Sequence, residues 1–360
     1  MDSSRPSRVL VTGGAGFIGC ALSQLLVDDG WQVTVLDSLH PQVHPTRTRP
    51  TALHAAAELV VADVTEPGTW ASLFAERSFD LVIHLAAETG TGQSLDESSR
   101  HALVNVVGTT RMLDAMSQLG RLPEHVILSS SRAVYGEGRW QDETTGAVLY
   151  PGQRSHSQLA AGEWDFAGTR SLPSSAPTTE PRPTSVYGAT KLAQEHILSA
   201  WCRSRSVDLT VLRMQNVYGP GQSLTNSYTG IVTLFSQLAR EGKSIPLYED
   251  GQVTRDFVFI DDVADAFARA WTSTSARGGV YDIGSGLSTT IEEMATELAQ
   301  FHAAPAPTVT GKFRDGDVRH AATELTTTLT ELDWKPTIGL AEGLAALQHW
   351  IEAAPGGDSR

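Results

Sequence analysis

The sequence predicts a doubly wound parallel α/β fold, followed by a smaller mixed α/β region, on three observations. Short apolar runs alternate with helical patterns through the first third of the 360 residues. A glycine-rich turn, Gly13–Gly19, joins the first apolar run to the first helical pattern. An acidic residue, Asp37, closes the next run 18 positions after Gly19. Strands separated by helices imply a parallel sheet with right-handed crossovers, and glycines at a strand–helix junction mark a Rossmann-type turn.

Taken in order, Arg8–Thr12 reads as a buried strand and about Ile18 to Asp29 as a helix. Strands follow at Gln32–Leu36, Leu59–Ala62 and Leu81–Leu85, then a helix at about Arg100–Leu119 and the strand His125–Ser129. From Gly136 to Pro183 the pattern breaks into Gly, Pro, Ser and Thr, which predicts a long loop or small excursion, usually functional or mobile. A helix from about Val186 to Arg203 and the strand Leu209–Met214 restore regularity. Beyond them come helices at about Ile231–Glu241, Asp261–Thr272, Ile291–Phe301 and Leu340–Ala353, and short strands near Pro246–Tyr248 and Val253–Phe259. The expected division is 1–215 as dinucleotide domain with an insertion at 137–183, 216–354 as substrate region, and 355–360 as a tail.

Composition narrows the function. A formal charge of −14 excludes the basic field that nucleic acid or an anionic membrane needs. An anionic ligand then requires local arginines and helix N-termini. Two cysteines, Cys20 and Cys202, are too few for a disulfide framework or a cysteine zinc site. No run approaches the roughly 18 apolar residues of a membrane span, and Met1–Ser7 has no signal-like apolar core. The expectation is a cytoplasmic protein without metal.

Three patterns carry chemistry. In Val9-Leu-Val-Thr-Gly13-Gly-Ala-Gly16-Phe-Ile-Gly19, Gly13 permits the tight turn, Gly16 admits a pyrophosphate, and Gly19 allows close helix–strand packing. The helix N-terminus at Phe17 and Ile18 offers free N–H groups to phosphate. Asp37 can accept from ribose hydroxyls and repels a 2′-phosphate, favouring NAD over NADP. The second pattern is Tyr187-Gly-Ala-Thr-Lys191, with two residues four apart on one helix face. A free phenol titrates near pH 10; Lys191 and a positive nicotinamide ring lower that value and make Tyr187 a base near neutrality. The third is Ser129-Ser130-Ser131 at the C-terminal end of a strand, where open α/β sheets bind ligands.

Together these residues resemble the extended short-chain dehydrogenase/reductase family, specifically its nucleoside-diphosphate-sugar epimerases and dehydratases. Further pieces appear in that family's order: Asp63-Val64, His84-Leu-Ala-Ala87, Asn105-Val-Val-Gly-Thr109, Ser129-Ser-Ser-Arg-Ala-Val-Tyr-Gly136, Asn216-Val-Tyr-Gly-Pro220, Arg255-Asp-Phe-Val-Phe-Ile-Asp-Asp262 and Leu332-Asp-Trp-Lys-Pro336. The resemblance implies that Asp63 and Val64 flank the adenine. Leu85, Ala86, Ala87 and Ser129 would line the cofactor, and Asn105 would brace the fold beside it. Ser131, four residues before Tyr135, would be the catalytic hydroxyl beside Tyr187 and Lys191. Asn216, Arg255 and Arg314 would hold a sugar-nucleotide diphosphate, and Asp317 the nucleotide ribose. It also implies a homodimer, with the helix at 100–119 and the helix after Tyr187 as the interface.

Within the family, 4,6-dehydratases carry an Asp-Glu pair after the catalytic hydroxyl residue. Arg132 and Ala133 stand there instead, and neither shuttles a proton. The expectation is therefore epimerisation at C4 through a transient 4-keto sugar, with NAD as resident cofactor. The segment Gly221–Gly230 resembles epimerases acting on 6-deoxyhexose nucleotides, of the dTDP-L-rhamnose type. A 4-ketoreductase or sugar dehydrogenase is the alternative, against which Asp37 counts because such enzymes usually use NADPH. A non-catalytic NAD sensor is a further one, against which the retained Tyr187 and Lys191 count. Ser131 and Tyr187 lie 56 positions apart, about twice the spacing of simple hexose epimerases. The insertion responsible contains His156 and Trp164, which could cap a sugar but read more simply as parts of a solvated loop.

Overall fold

A computed structural model describes residues 7–224 and 230–353. The expected tail, and the middle of the Gly221–Gly230 segment, lie outside the described residues. Seven strands form one parallel sheet: β1 (Arg8–Thr12), β2 (Gln32–Asp37), β3 (Glu58–Val61), β4 (Leu81–His84), β5 (His125–Ser131), β6 (Asp208–Met214) and β7 (Val280–Ile283). Their spatial order is β7-β6-β5-β4-β1-β2-β3. The chain runs outward from β1 to β3 and then crosses back to β4. The carboxyl ends of β1 and β4 thus form the switch-point crevice in which doubly wound sheets bind nucleotides.

Both faces of the sheet are covered over its central strands, which is why β1 and β4 are largely apolar. Val9 and Val11 of β1 face a core shared with helix α1 (Phe17–Asp28), while Leu10 between them faces a second core. That second core is completed by α2 (Pro67–Glu76), α3 (Thr109–Leu119) and α4 (Val186–Arg205). Each such fully buried side chain contributes about 1.5–3 kcal/mol. The C-terminal region has its own core, in which Phe235, Met294, Leu298 and Leu347 pack together. These come from α5 (Ile231–Arg240), α7 (Ile291–Phe301) and α8 (Leu340–Ala353), whereas α6 (Ile260–Thr272) packs back on α1. Among the described residues no helix is long and apolar enough to cross a membrane.

The structure adds to the sequence reading in several places. The helix expected over 100–119 is interrupted by a widened turn at Leu103–Gly108. There the Asn105 side chain is drawn out of register to bond Glu88, and Gly108 packs so tightly on Val64 that a Cβ would come within 2.9 Å of its Cγ2. Helix α2 and strand β7 were not located from sequence. Of the two readings of the insertion, long loop or small excursion, the second is the one that matches. The insertion folds as a three-stranded antiparallel sheet (Val148–Leu149, Trp140–Asp142, Thr169–Ser171) with a short helix, His156–Ala160. Trp140 anchors it, fully buried with its ring edge-on to Phe166.

Candidate active site

The switch-point crevice opens into a cleft of about 810 Å³. At one end lies the β1–α1 turn. Gly13 has φ +67, and a Cβ on it would sit 2.7 Å from the Ala86 backbone nitrogen, so only glycine lets the two strand ends approach. A Cβ on Gly19 would collide with the Gly14 backbone. Gly16 caps α1 without a side chain, leaving the first N–H groups open toward the cleft, where they and the helix dipole suit phosphate. Asp37 closes β2, its carboxylate accepting from the Ala15 N–H (3.1 Å) and the Leu39 N–H (2.9 Å). Phe17, Ile18, Asp63, Val64, Leu85, Ala86, Ala87 and Ser129 all line the same cleft. A glycine cradle, an open helix N-terminus and a carboxylate at the end of β2 fit a dinucleotide. Asn105 does not line the cleft. Buried beneath it, its amide bonds both the N–H and the C=O of Glu88 (2.7 and 3.0 Å) and the Thr190 hydroxyl (2.9 Å).

At the inner end, β5 delivers Ser131 and α4 delivers Tyr187 and Lys191, all three in the cleft wall. Their meeting is built locally. Ser185 caps α4, accepting from the Gly188 N–H at 3.0 Å. Gly188 lets the helix settle on the turn Arg132–Tyr135, where a Cβ would collide with the Ala133 carbonyl. A buried network bolts helix to sheet: Glu195 of α4 accepts from Ser130 (2.5 Å) and from Arg213 of β6 (2.7 and 3.0 Å). Arg213 also donates to the Tyr135 hydroxyl (2.9 Å), which donates to Asp282 of β7 (2.8 Å). Buried Arg213 and Glu195 were not singled out from sequence, because their partners come from four separate elements.

The electrostatics correct one expectation. Burial raises Tyr187 above the ordinary phenol value, and the groups that pull it back are the Ser131 hydroxyl and the Arg132 guanidinium, not Lys191. Lys191 instead donates to Gln194 at 2.5 Å, and Gln194 in turn donates to Thr109. Burial pushes Lys191 down to about 7, with Glu195 opposing. Its folded value thus lies below its unfolded one, so between about pH 7 and 10.5 the unfolded chain binds more protons and stability rises with pH. Urea unfolding of the cofactor-free protein should show that rise, and Lys191→Met should lose it; an unchanged slope would refute the burial argument.

The anion-binding candidates lie beyond this centre. Asn216, on the short strand Asn216–Tyr218, accepts from Arg132 Nε at 3.0 Å. Arg255 stands on Thr254–Arg255, donating to the Thr254 carbonyl at 2.7 Å. Asp317 acts electrostatically on both Arg132 and Arg255. Arg314 is exposed, stacked 5.0 Å over the Tyr248 ring. His156 and Trp164 pack against Phe313, and His156 pairs with Asp315 at 3.0 Å. Among the described residues no group of three or more His, Cys, Asp or Glu side chains could hold a metal ion.

Known proteins share this architecture. Residues 9–284 match the NAD dependent epimerase/dehydratase family. A dTDP-L-rhamnose 4-epimerase of Burkholderia thailandensis is 60% identical over 344 residues, covering 96% of this chain and 94% of the relative. A Thermotoga maritima UDP-glucose 4-epimerase, crystallised with UDP-glucose, superposes with a TM-score of 0.79 at 27% identity, covering 96% of this chain and 98% of that one. The Thermus thermophilus UDP-glucose 4-epimerase in complex with NAD gives 0.77 at 29% identity, covering 97% and 100%. With the glycine cradle, the cleft and the Ser131–Tyr187–Lys191 centre all in one chain of this ancestry, the protein belongs to the NAD dependent epimerase/dehydratase family.

Proposed function

We propose that the protein is an NAD-dependent 4-epimerase of a nucleoside-diphosphate sugar, with dTDP-L-rhamnose, a 6-deoxyhexose nucleotide, as the favoured substrate. The observation that carries the chemistry is the convergence of Ser131, Tyr187 and Lys191 at the inner end of the dinucleotide cleft. The high identity to the Burkholderia enzyme supports the sugar. NAD⁺ bound in the cleft would supply a reversible hydride acceptor for C4, held by the Gly13–Gly19 turn and by Asp37.

The chain's own residues do the proton work. Tyr187 takes the C4 hydroxyl proton as the 4-keto sugar forms and returns a proton to that oxygen after the sugar has turned over. Ser131 hydrogen-bonds with the same oxygen and with the phenol, keeping the two aligned. Lys191, in the same wall, steadies the cofactor ribose. Asn216, Arg255 and Arg314 anchor the diphosphate and Asp317 the nucleotide ribose, so the sugar can rotate while the nucleotide stays. At the dehydratase acid–base positions Arg132 and Ala133 offer no proton, so water loss has no catalyst here.

The test is incubation of the purified protein, without added cofactor, with dTDP-L-rhamnose and with UDP- and GDP-hexoses, followed by NMR. The expected result is C4 inversion of the dTDP-6-deoxyhexose. A strict requirement for added NADPH would replace this reading with a one-way reductase.

A further inference from the structure

We propose that Arg132 is a second diphosphate ligand, holding the sugar-side phosphate of the substrate opposite Arg255 and so selecting a nucleoside diphosphate over a monophosphate. The inference rests on the sugar-nucleotide reading above and adds to it a residue that the family resemblance does not assign to binding. Arg132 immediately follows Ser131 and lines the cleft beside Tyr187 and Asn216. Its hydrogen bond runs from Nε to Asn216 Oδ1 at 3.0 Å. Among the described residues neither Nη atom has a partner. The Nε bond fixes the plane of the guanidinium and leaves its two outer nitrogens as a fork.

Arg255, on the neighbouring segment, lies within electrostatic reach of Arg132. The Asn216 N–H donates to the Asp256 carbonyl at 2.9 Å, next in the chain to Arg255. Neither Arg132 nor Arg255 forms an ion pair with a carboxylate among the described residues. The contrast with the buried structural arginines decides what this means. Arg154, Arg213 and Arg319 each meet at least one carboxylate at 3.0 Å or closer. Those carboxylates hold all three above the ordinary guanidinium value. For Arg132 the outcome is the opposite: desolvation, then Arg255, push it down to about 9, and no paired carboxylate restores it. Arg255 is pushed down by desolvation as well, with Asp317, Glu137 and Glu249 opposing. Guanidinium groups keep their charge in proteins. Two half-buried guanidinium groups that repel one another are costly unless an anion completes the site.

A phosphate matches the bidentate fork and neutralises it. A neutral 6-deoxyhexose offers hydroxyls but no charge. The cofactor's pyrophosphate is already provided for by the open N-terminus of α1. The substrate's diphosphate is therefore the anion left to fill the gap, with Arg132 on the phosphate nearer the sugar because Arg132 adjoins Ser131 and Tyr187.

Isothermal titration of the NAD-containing wild type, Arg132→Gln and Arg132→Lys with dTDP-L-rhamnose, dTDP and dTMP tests this. Loss of a charge-assisted fork corresponds to about 10- to 100-fold in affinity. Arg132→Gln should weaken dTDP and dTDP-L-rhamnose by the same factor in that range and leave dTMP unchanged. Arg132→Lys, which keeps the charge without the fork, should fall between. Retained NAD, one per chain, shows that the variants are folded. If Arg132→Gln does not retain it, Arg132→Lys carries the comparison, with the same ordering of ligands expected. Weaker dTDP-L-rhamnose binding with unchanged dTDP would assign Arg132 to the hexose and overturn the proposal, as would unchanged binding of both. A wild type that binds neither dTDP nor UDP would instead sink the sugar-nucleotide reading itself.

Discussion

Tyr187→Phe is expected to lower the epimerisation rate by about a thousandfold or more while leaving bound NAD in place. The ring, the Ser185 cap and the close seat of Gly188 on Ala133 are untouched by the change, so α4 keeps its position. What disappears is the hydroxyl proposed to carry the C4 proton, and general acid–base catalysis contributes about 10²–10⁴-fold. Ser131→Ala should cost less, because it removes an aligning hydrogen bond and one of the two influences that lower the buried phenol. Product formation by NMR and cofactor content by absorbance after denaturation separate chemistry from binding. Activity retained in Tyr187→Phe would show that another group carries the proton.

How much of this centre was legible in the sequence follows from the range of the forces involved. The glycine turn, Asp37 and the Tyr–Lys pair are local patterns, and each lies where the pattern places it. The strands were readable because burial on both faces makes each a short apolar run. Strand β7 escaped because its Val280–Ile283 run is four residues long and includes Asp282, a carboxylate tolerated there by Tyr135 and the Ala176 N–H. The insertion escaped for a related reason. Its strands are two or three residues long and are held by distant side chains rather than by their own propensity. Arg132 was visible only as a missing acid. Its two outer nitrogens, without partners among the described residues, acquire meaning from Arg255, far along the chain, and no spacing rule connects the two.

Arg154→Met should destabilise the protein by about 3–5 kcal/mol, the cost of stranding a buried charge. Arg154 projects from the insertion and is 2% exposed. Its two Nη atoms bind Glu249 at 2.8 and 2.9 Å, and Nε reaches Glu137 at 3.3 Å. It also donates to the Trp164 carbonyl (3.1 Å) and the Asp317 carbonyl (2.8 Å), tying the insertion to the loop that carries a proposed ribose ligand. Methionine preserves much of the volume but satisfies none of these acceptors. Glu249, 3% exposed, then depends on Arg319 alone, and Arg319 is already shared with Asp165 and Asp250. If the stranded charge is the cause, Glu249→Gln added to Arg154→Met should recover part of the loss, although Glu249→Gln alone should destabilise. Urea unfolding of the three variants measures this directly. A loss below about 1 kcal/mol in Arg154→Met would mean that the insertion is held by Trp140 and its apolar contacts. The same variant should bind the sugar nucleotide more weakly, because the Asp317 loop loses its tether, whereas NAD content, set at the far end of the cleft, should not change.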